Sequence, residues 1–259
     1  MRILSCLVPA LFALGLLEPS AATAAPESQN LEVLDPNFAV VVPGEDIQWF
    51  DALKLGLEGQ GWTENAHPYD RMPAKAEAVI PPAVWNLSHH SAGMAVRFVS
   101  DSPEISARWS VRYENLAMPH MPATGVSGLD LYAKDGDRWR WVAQGRPSQQ
   151  NDNQARLVNG APAGLHEYML YLPLYNGTEK LEIGVKAGAT LAKGPKRVDP
   201  RPVVFYGTSI THGGCASRPG MSYPAIISQR LDRPHINLGF SGNGRMEPEM
   251  GALIAELDA

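Results

Sequence analysis

One stretch of the sequence alternates strictly with a period of two residues. Ile105, Ala107, Trp109, Val111 and Tyr113 are interleaved with Glu104, Ser106, Arg108, Ser110 and Arg112, and extended backbone separates two such sets onto opposite faces. A strand of this kind belongs in an antiparallel sheet with one face covered. Shorter segments at 94–99, 128–133, 138–142, 166–172 and 180–185 are similar, and Gly, Asp, Asn and Pro turns divide them. Several short strands in succession predict a β-sandwich of jelly-roll type over residues 30–189. Its first part, up to about residue 82, is broken by Pro43, Gly44, Gly56, Gly59, Gly61, Pro68 and Pro73, and reads as loops and short strands. Trp109 falls in the inward set of its strand. Trp139 and Trp141 share a face opposite Arg138 and Arg140 and read as core rather than as a sugar-stacking platform.

The character changes over residues 190–202, where Gly194, Pro195, Pro200 and Pro202 surround Lys193, Lys196 and Arg197. This stretch reads as a linker. After it, Val203-Val204-Phe205-Tyr206 is an uninterrupted β-prone run, as expected of a parallel strand covered on both faces. A helix at 223–231, a strand at 236–240 and a helix at 248–257 follow. The order β-α-β-α over 203–259 is the beginning of a doubly wound, flavodoxin-like α/β sheet.

Residues 1–24 read as a secretory signal peptide. Arg2 precedes a mostly apolar stretch from Ile3 to Leu17, and Ala22 and Ala24 fit the cleavage pattern, giving a new terminus near Ala25. The expectation is a secreted or periplasmic protein that leaves the membrane once the signal is removed. Cys6 departs with that segment, so Cys215 has no intramolecular partner. It reads as a small packed apolar residue. The net charge of −5, without any concentrated basic stretch, argues against nucleic acid or an anionic membrane as the main partner. A small or neutral ligand is expected instead.

Two segments can carry chemistry. Phe205-Tyr206-Gly207-Thr208-Ser209-Ile210-Thr211 puts a serine where a buried strand ends and a helix begins. At such an edge α/β proteins bind ligands, and unpaired backbone N–H groups can stabilise an anion. A serine there is a nucleophile if a base is within reach, and by itself the pattern equally describes an ordinary turn. Asn237-Leu238-Gly239-Phe240-Ser241-Gly242-Asn243-Gly244 is a second, glycine-rich strand end. Together the segments resemble the first two blocks of the SGNH hydrolases, also called GDSL-type lipases and acylhydrolases. Gly207-Thr208-Ser209 stands where that family has Gly-Asp-Ser, and Ser241-Gly242-Asn243 stands at its second block. Gly128-Leu129-Asp130-Leu131-Tyr132 looks like the Gly-x-Asp-Leu-Tyr signature of a β-domain preceding such an esterase, and Met118-Pro119-His120-Met121-Pro122 and Leu172-Pro173-Leu174-Tyr175-Asn176-Gly177 look like the same family.

The resemblance implies an exported serine esterase acting on a small acyl ester, an acetyl group on a carbohydrate, without cofactor or metal. Ser209 would be the nucleophile and an oxyanion-hole amide, Gly242 would supply a second amide, and Thr208, His212 and Asn243 would line the substrate. Thr208 departs from the family aspartate, which puts local hydrogen bonding in doubt. The family's third block, with its asparagine, and its Asp-x-x-His block are not found in these residues. The chain is therefore expected to be a truncated form without activity of its own. A non-catalytic carbohydrate-binding protein is the alternative. His212, three residues after Ser209, is tempting as a replacement base, but groups on one turn need not converge, and a solvent-facing or substrate-lining place is expected. His235 is a weaker candidate. His89, His90 and His120 lack metal-ligand spacing and read as surface or inter-domain contacts. Asp130 is expected to tie its strand to a neighbouring turn.

Overall fold

The computed structural model describes residues 31–259. The expected signal peptide, with Cys6, Ala22 and Ala24, lies outside the described residues. Ten strands form two five-stranded antiparallel sheets. One sheet has the order β1 (Val40–Val41), β2 (Ile47–Asp51), β9 (Thr178–Lys186), β4 (Glu104–Val111) and β7 (Asn153–Asn159). The other has the order β10 (Leu191–Lys193), β3 (Ala95–Ser100), β8 (His166–Tyr171), β5 (Leu129–Asp135) and β6 (Arg138–Gly145).

The alternation in β4 does what its period requires. Ile105, Ala107, Trp109 and Val111 join Leu181, Ile183 and Val185 of β9 on the inner face, against Val96 and Phe98 of β3, Leu129 and Leu131 of β5, and Leu170 of β8. On the outer face Arg108 lies 3.9 Å over the Trp49 ring and pairs with Glu182 at 3.2 Å. Each fully buried aliphatic side chain in this core stabilises the fold by roughly 1.5–3 kcal/mol.

Several expectations need correcting. Strand β7 went unread because its apolar positions are few, as suits an edge strand. β10 pairs antiparallel with β3, Leu191 opposite Ser100, so residues 191–193 belong to the sandwich and the connector starts after them. Trp139 and Trp141 stand on the outer face of their sheet. Trp139 is covered there by the last part of the chain, in a cluster with Tyr132 and Ala225, whereas Trp141 is half exposed.

The last part of the chain holds a parallel pair, β11 (Val203–Gly207) and β12 (His235–Gly239), in register from Val203–His235 to Gly207–Gly239. Short helix α3 (Ser209–His212) follows β11, α4 (Tyr223–Leu231) joins the strands, and α5 (Pro248–Ile254) comes last. A second core lies beneath this pair, and its other half comes from far upstream. Met72, Ala76, Ile80, Val84 and Trp85 pack with Ile236, Leu238, Phe240, Met250 and Leu253. Residues 62–87, expected to lead into the sandwich, thus cover the α/β piece. They include helix α1 (Pro82–Ser88), which starts with proline at its first position, where no N–H is needed.

Ionic contacts join the two parts. Arg197, nearly buried in the connector, reaches Glu58 at 2.7 Å and Asp232 at 3.0 Å, and Arg97 reaches the same Glu58 at 2.9 Å. The two guanidiniums hold the Glu58 carboxyl below its usual value against the opposing effect of burial. Asp130, fully buried on β5, accepts hydrogen bonds from the Gly220 N–H and the Trp141 indole, both at 2.9 Å, and lies 3.3 Å from the Arg218 guanidinium. Its contact therefore crosses the junction. Burial outweighs these partners and pushes its carboxyl up to about 6.

Candidate active site

The site forms at the carboxyl edge of the parallel pair. β11 ends at Gly207, Thr208 takes the N-cap position of α3 without a side-chain cap bond, and Ser209 is the first helical residue. A first helical residue has no acceptor for its N–H within the helix. Ser209 is half-buried, and among the described residues no side chain hydrogen-bonds its hydroxyl. Its carbonyl is held by the Tyr175 hydroxyl at 3.1 Å and by the Gly214 N–H at 2.9 Å. Thr208 is exposed.

The second strand end folds over the first. The Phe240 N–H donates to the Gly207 carbonyl, and the Asn243 N–H closes a tight turn on the Phe240 carbonyl, both at 2.8 Å. Gly242 sits in that turn with φ of +72°, a conformation that costs a side-chain-bearing residue but not glycine. It is exposed, and its carbonyl accepts from Arg245 at 2.7 Å. Asn243 uses its amide to bond the Ser241 carbonyl at 3.1 Å, which holds the turn. A Cβ on Gly239 would stand 2.0 Å from the His212 nitrogen, so α3 and β12 meet backbone to backbone. Ser209 and Gly242 therefore lie at the ends of paired neighbouring strands.

The expectation of a solvent-facing or substrate-lining His212 is overturned by burial. Its side chain has no exposed surface, its Nδ1 accepts the Ser241 N–H at 3.3 Å, and its Nε2 lies 3.3 Å from His90 Nδ1. The ring stacks on Tyr175, with centroids 4.1 Å apart and planes 12° apart. Burial, and then the nearby Arg71 charge, hold its pKa well below the ordinary value. Accepting at Nδ1 leaves the proton of this neutral ring on Nε2, the nitrogen that faces His90 Nδ1. His90 is pushed down to about 3 by burial and by Arg71. Neither imidazole is a base poised near neutrality. His235 is buried as well, and burial takes it down to about 4, while His120 is exposed. Cys215, expected to pack inside, is exposed.

Three residues of the site were missed by sequence reasoning: Arg71, His90 as a contact of α3, and Tyr175. Arg71 is buried, and its guanidinium donates to four backbone carbonyls: Leu87 at 2.6 Å, Gly239 at 2.7 Å, His90 at 2.8 Å and Asn237 at 3.0 Å. It lies 4.8 Å from the Phe240 ring centre. Burial lowers it to about 9, still cationic at neutral pH. It ties residues 87–90 to the end of β12, just before the Gly242 turn. No periodicity marks Arg71; Tyr175 lies in the family-like segment Leu172–Gly177, but that segment does not say what its side chain touches.

The family models agree with this arrangement. Residues 47–191 match the GxDLY model, the N-terminus of SGNH-hydrolase-type esterases, and that is more than half of the chain. The chain belongs to the SGNH-hydrolase-type esterases. Residues 200–259 match the GDSL-like lipase/acylhydrolase family. Among solved structures, a protein described as a GDSL-like lipase from Bacteroides ovatus is 38% identical, with a TM-score of 0.77 over 82% of this chain and 62% of its own. A salicylyl-acyltransferase from a tetracycline biosynthetic pathway shares the fold at 20% identity, with a TM-score of 0.61 over 85% of this chain and 59% of its own. This chain thus spans less than two thirds of either relative. No curated protein matches it in sequence. An esterase-type hydrolase is the class that this membership supports.

Proposed function

We propose that this SGNH-type chain carries the nucleophile and part of the oxyanion hole of an exported esterase for small acyl esters, acetyl esters above all. The observation that carries the reading is Ser209 at the first position of α3, with its N–H free of any helical acceptor and the Gly242 turn on the adjacent strand. In this reading Ser209 Oγ attacks the ester carbonyl, and the Ser209 and Gly242 N–H groups stabilise the oxygen anion, each lowering the barrier by roughly 3 kcal/mol. The alcohol leaves, and water then hydrolyses the acyl-serine. The serine proton must pass to a base. The ring nitrogens of His212 are engaged by Ser241 and His90, so the base is assigned to the family's Asp-x-x-His block, and these 259 residues by themselves position a nucleophile without turning over substrate.

The test is release of p-nitrophenol from p-nitrophenyl acetate by this chain, by the chain extended through the family's asparagine and Asp-x-x-His blocks, and by Ser209→Ala in the extended form. Turnover only in the extended wild type is expected. Equal rates for the extended wild type and Ser209→Ala would remove Ser209 from the mechanism. The unengaged Ser209 hydroxyl favours one second reading, a non-catalytic carbohydrate-binding protein, which predicts no turnover in any form.

A further inference from the structure

Helix α3 begins with Ser209 and ends with His212, a buried side chain that the chemistry of Ser209 leaves without a role. Burying an imidazole is costly unless its nitrogens find partners. Here Nδ1 accepts the Ser241 N–H and Nε2 faces His90 Nδ1, both at 3.3 Å. The ring lies flat against Tyr175, whose hydroxyl donates to the Ser209 carbonyl at 3.1 Å. Tyr175, from the sandwich, thus touches both ends of α3. At its far end α3 is also tied to strand β12, where the Asn237 amide donates to the Thr211 carbonyl at 2.8 Å.

The Ser241 bond differs from these in what it holds. Residues 240–243 form a turn closed by the Asn243 N–H on the Phe240 carbonyl, and φ is positive at Gly242 but not at Ser241, which makes the turn type II. Types I and II differ by a flip of the central peptide, here the one that joins Ser241 to Gly242. That peptide carries the Gly242 N–H, so its orientation decides whether this donor faces the end of β11 or turns away. Its oxygen is held within the turn by the Asn243 amide at 3.1 Å. The Phe240 N–H ties the turn to Gly207 of β11. Among the described residues, the His212 bond is the one hydrogen bond between α3 and residues 240–244.

This contact needs a lone pair on Nδ1, and therefore a neutral ring. Burial, and then the Arg71 charge, keep the ring neutral. Arg71 itself is anchored on the Gly239 and His90 carbonyls, one at the end of β12 and the other on the residue that faces His212 Nε2.

We infer that His212 is a positioning residue: its Nδ1 locks the Ser241–Gly242 turn to the helix of Ser209 and so holds the Gly242 N–H where the oxyanion forms. The inference rests on the esterase reading of Ser209 and Gly242. Two variants separate the acceptor from the bulk of the ring. His212→Leu fills the site without a lone pair, whereas His212→Asn carries an amide oxygen on Cγ, where the imidazole carries Nδ1. In the 259-residue chain, exchange of the Ser241 amide read by NMR should speed up about fivefold or more in His212→Leu and return near wild type in His212→Asn, with β4 and β9 unaffected. In the chain extended through the family's asparagine and Asp-x-x-His blocks, His212→Leu should lower kcat on p-nitrophenyl acetate roughly thirtyfold, leave KM within about twofold, and be largely rescued in His212→Asn. Melting curves check that each variant is folded. Ser241 exchange unchanged in His212→Leu, full kcat in that variant, or equal kcat losses in both variants overturns the inference. A failure of the esterase reading shows differently, as equal rates for the extended wild type and Ser209→Ala.

Discussion

The core between the two antiparallel sheets and the core beneath the parallel pair are both apolar, yet they are assembled by different means. In the first, strands such as β4 and β9 bring alternating sets, so neighbouring residues such as Ile105, Ala107, Trp109 and Val111 are committed to the interior together. In the second, residues 72–85 meet residues 236–253 across a long sequence separation. The contact depends on polar devices at its margin: Arg71 binding four carbonyls, Asp130 reaching Gly220, and Arg197 shared by Glu58 and Asp232. A regular pattern can hold a sheet in place by burial alone. A junction of irregular segments needs directional bonds to fix its register, and here the Arg71 bonds to Asn237 and Gly239 lie just before the Gly242 turn.

The comparison can be broken at either core. The largest loss is expected from Trp109→Ala, which empties a buried site in the sandwich and should cost about 4 kcal/mol in urea unfolding. A loss under about 1 kcal/mol would mean that the sheets do not depend on this packing. Arg71→Met comes next, because it keeps the volume but leaves four carbonyls short of a donor; about 3 kcal/mol is expected. Hydrogen exchange should accelerate in β12 and residues 87–90 while β4 and β9 stay protected. Uniform acceleration would show that the two cores unfold as one and that Arg71 does not act locally.

Asp130 sharpens the comparison through pH. Its folded carboxyl is raised to about 6 from an ordinary 3.8. A raised carboxyl gives its stability in full below the unfolded value and loses it as pH rises through the folded value. Wild type should therefore lose about 2 kcal/mol relative to Asp130→Asn between pH 4 and pH 7.5. A difference between the two proteins that stays flat over this range would show that the junction does not hold a destabilised carboxylate. The smallest effect belongs to Gly242→Ala. Nothing stands within 4 Å of an added Cβ, so only the positive φ opposes it, at about 1 kcal/mol in thermal unfolding. Stabilisation instead would indicate that this turn leaves the left-handed conformation in solution.

Much of the fold was legible because its signals are local. Period two exposed β4, the short apolar runs exposed most of its partners, and the run at Val203 announced a parallel strand that β12 joins in register, although β11 is only half-buried and not covered on both faces as expected. Ser209 was legible as a strand-end serine. The tryptophans show where local reasoning stops: shared parity put Trp139 and Trp141 on one face, but which face is inner is decided by the opposing sheet, and the second of them is half exposed. His212 shows the same limit. Its place three residues after the nucleophile suggests a surface, and Tyr175, His90 and Arg71, brought in from the sandwich side, enclose it instead.

By itself, then, the sequence determined which segments are extended, where the architecture changes near residue 200, and which serine sits at a strand end, since each follows from periodicity or from residues next to one another. The tertiary structure alone decided that residues 62–87 cover the parallel pair, that His212 is a buried neutral acceptor for the Ser241 N–H, and that a wall of the sandwich, Tyr175, supports the turn of Ser209. Those facts rest on contacts between distant segments, whose burial and hydrogen-bond partners exist only once the chain has closed on itself.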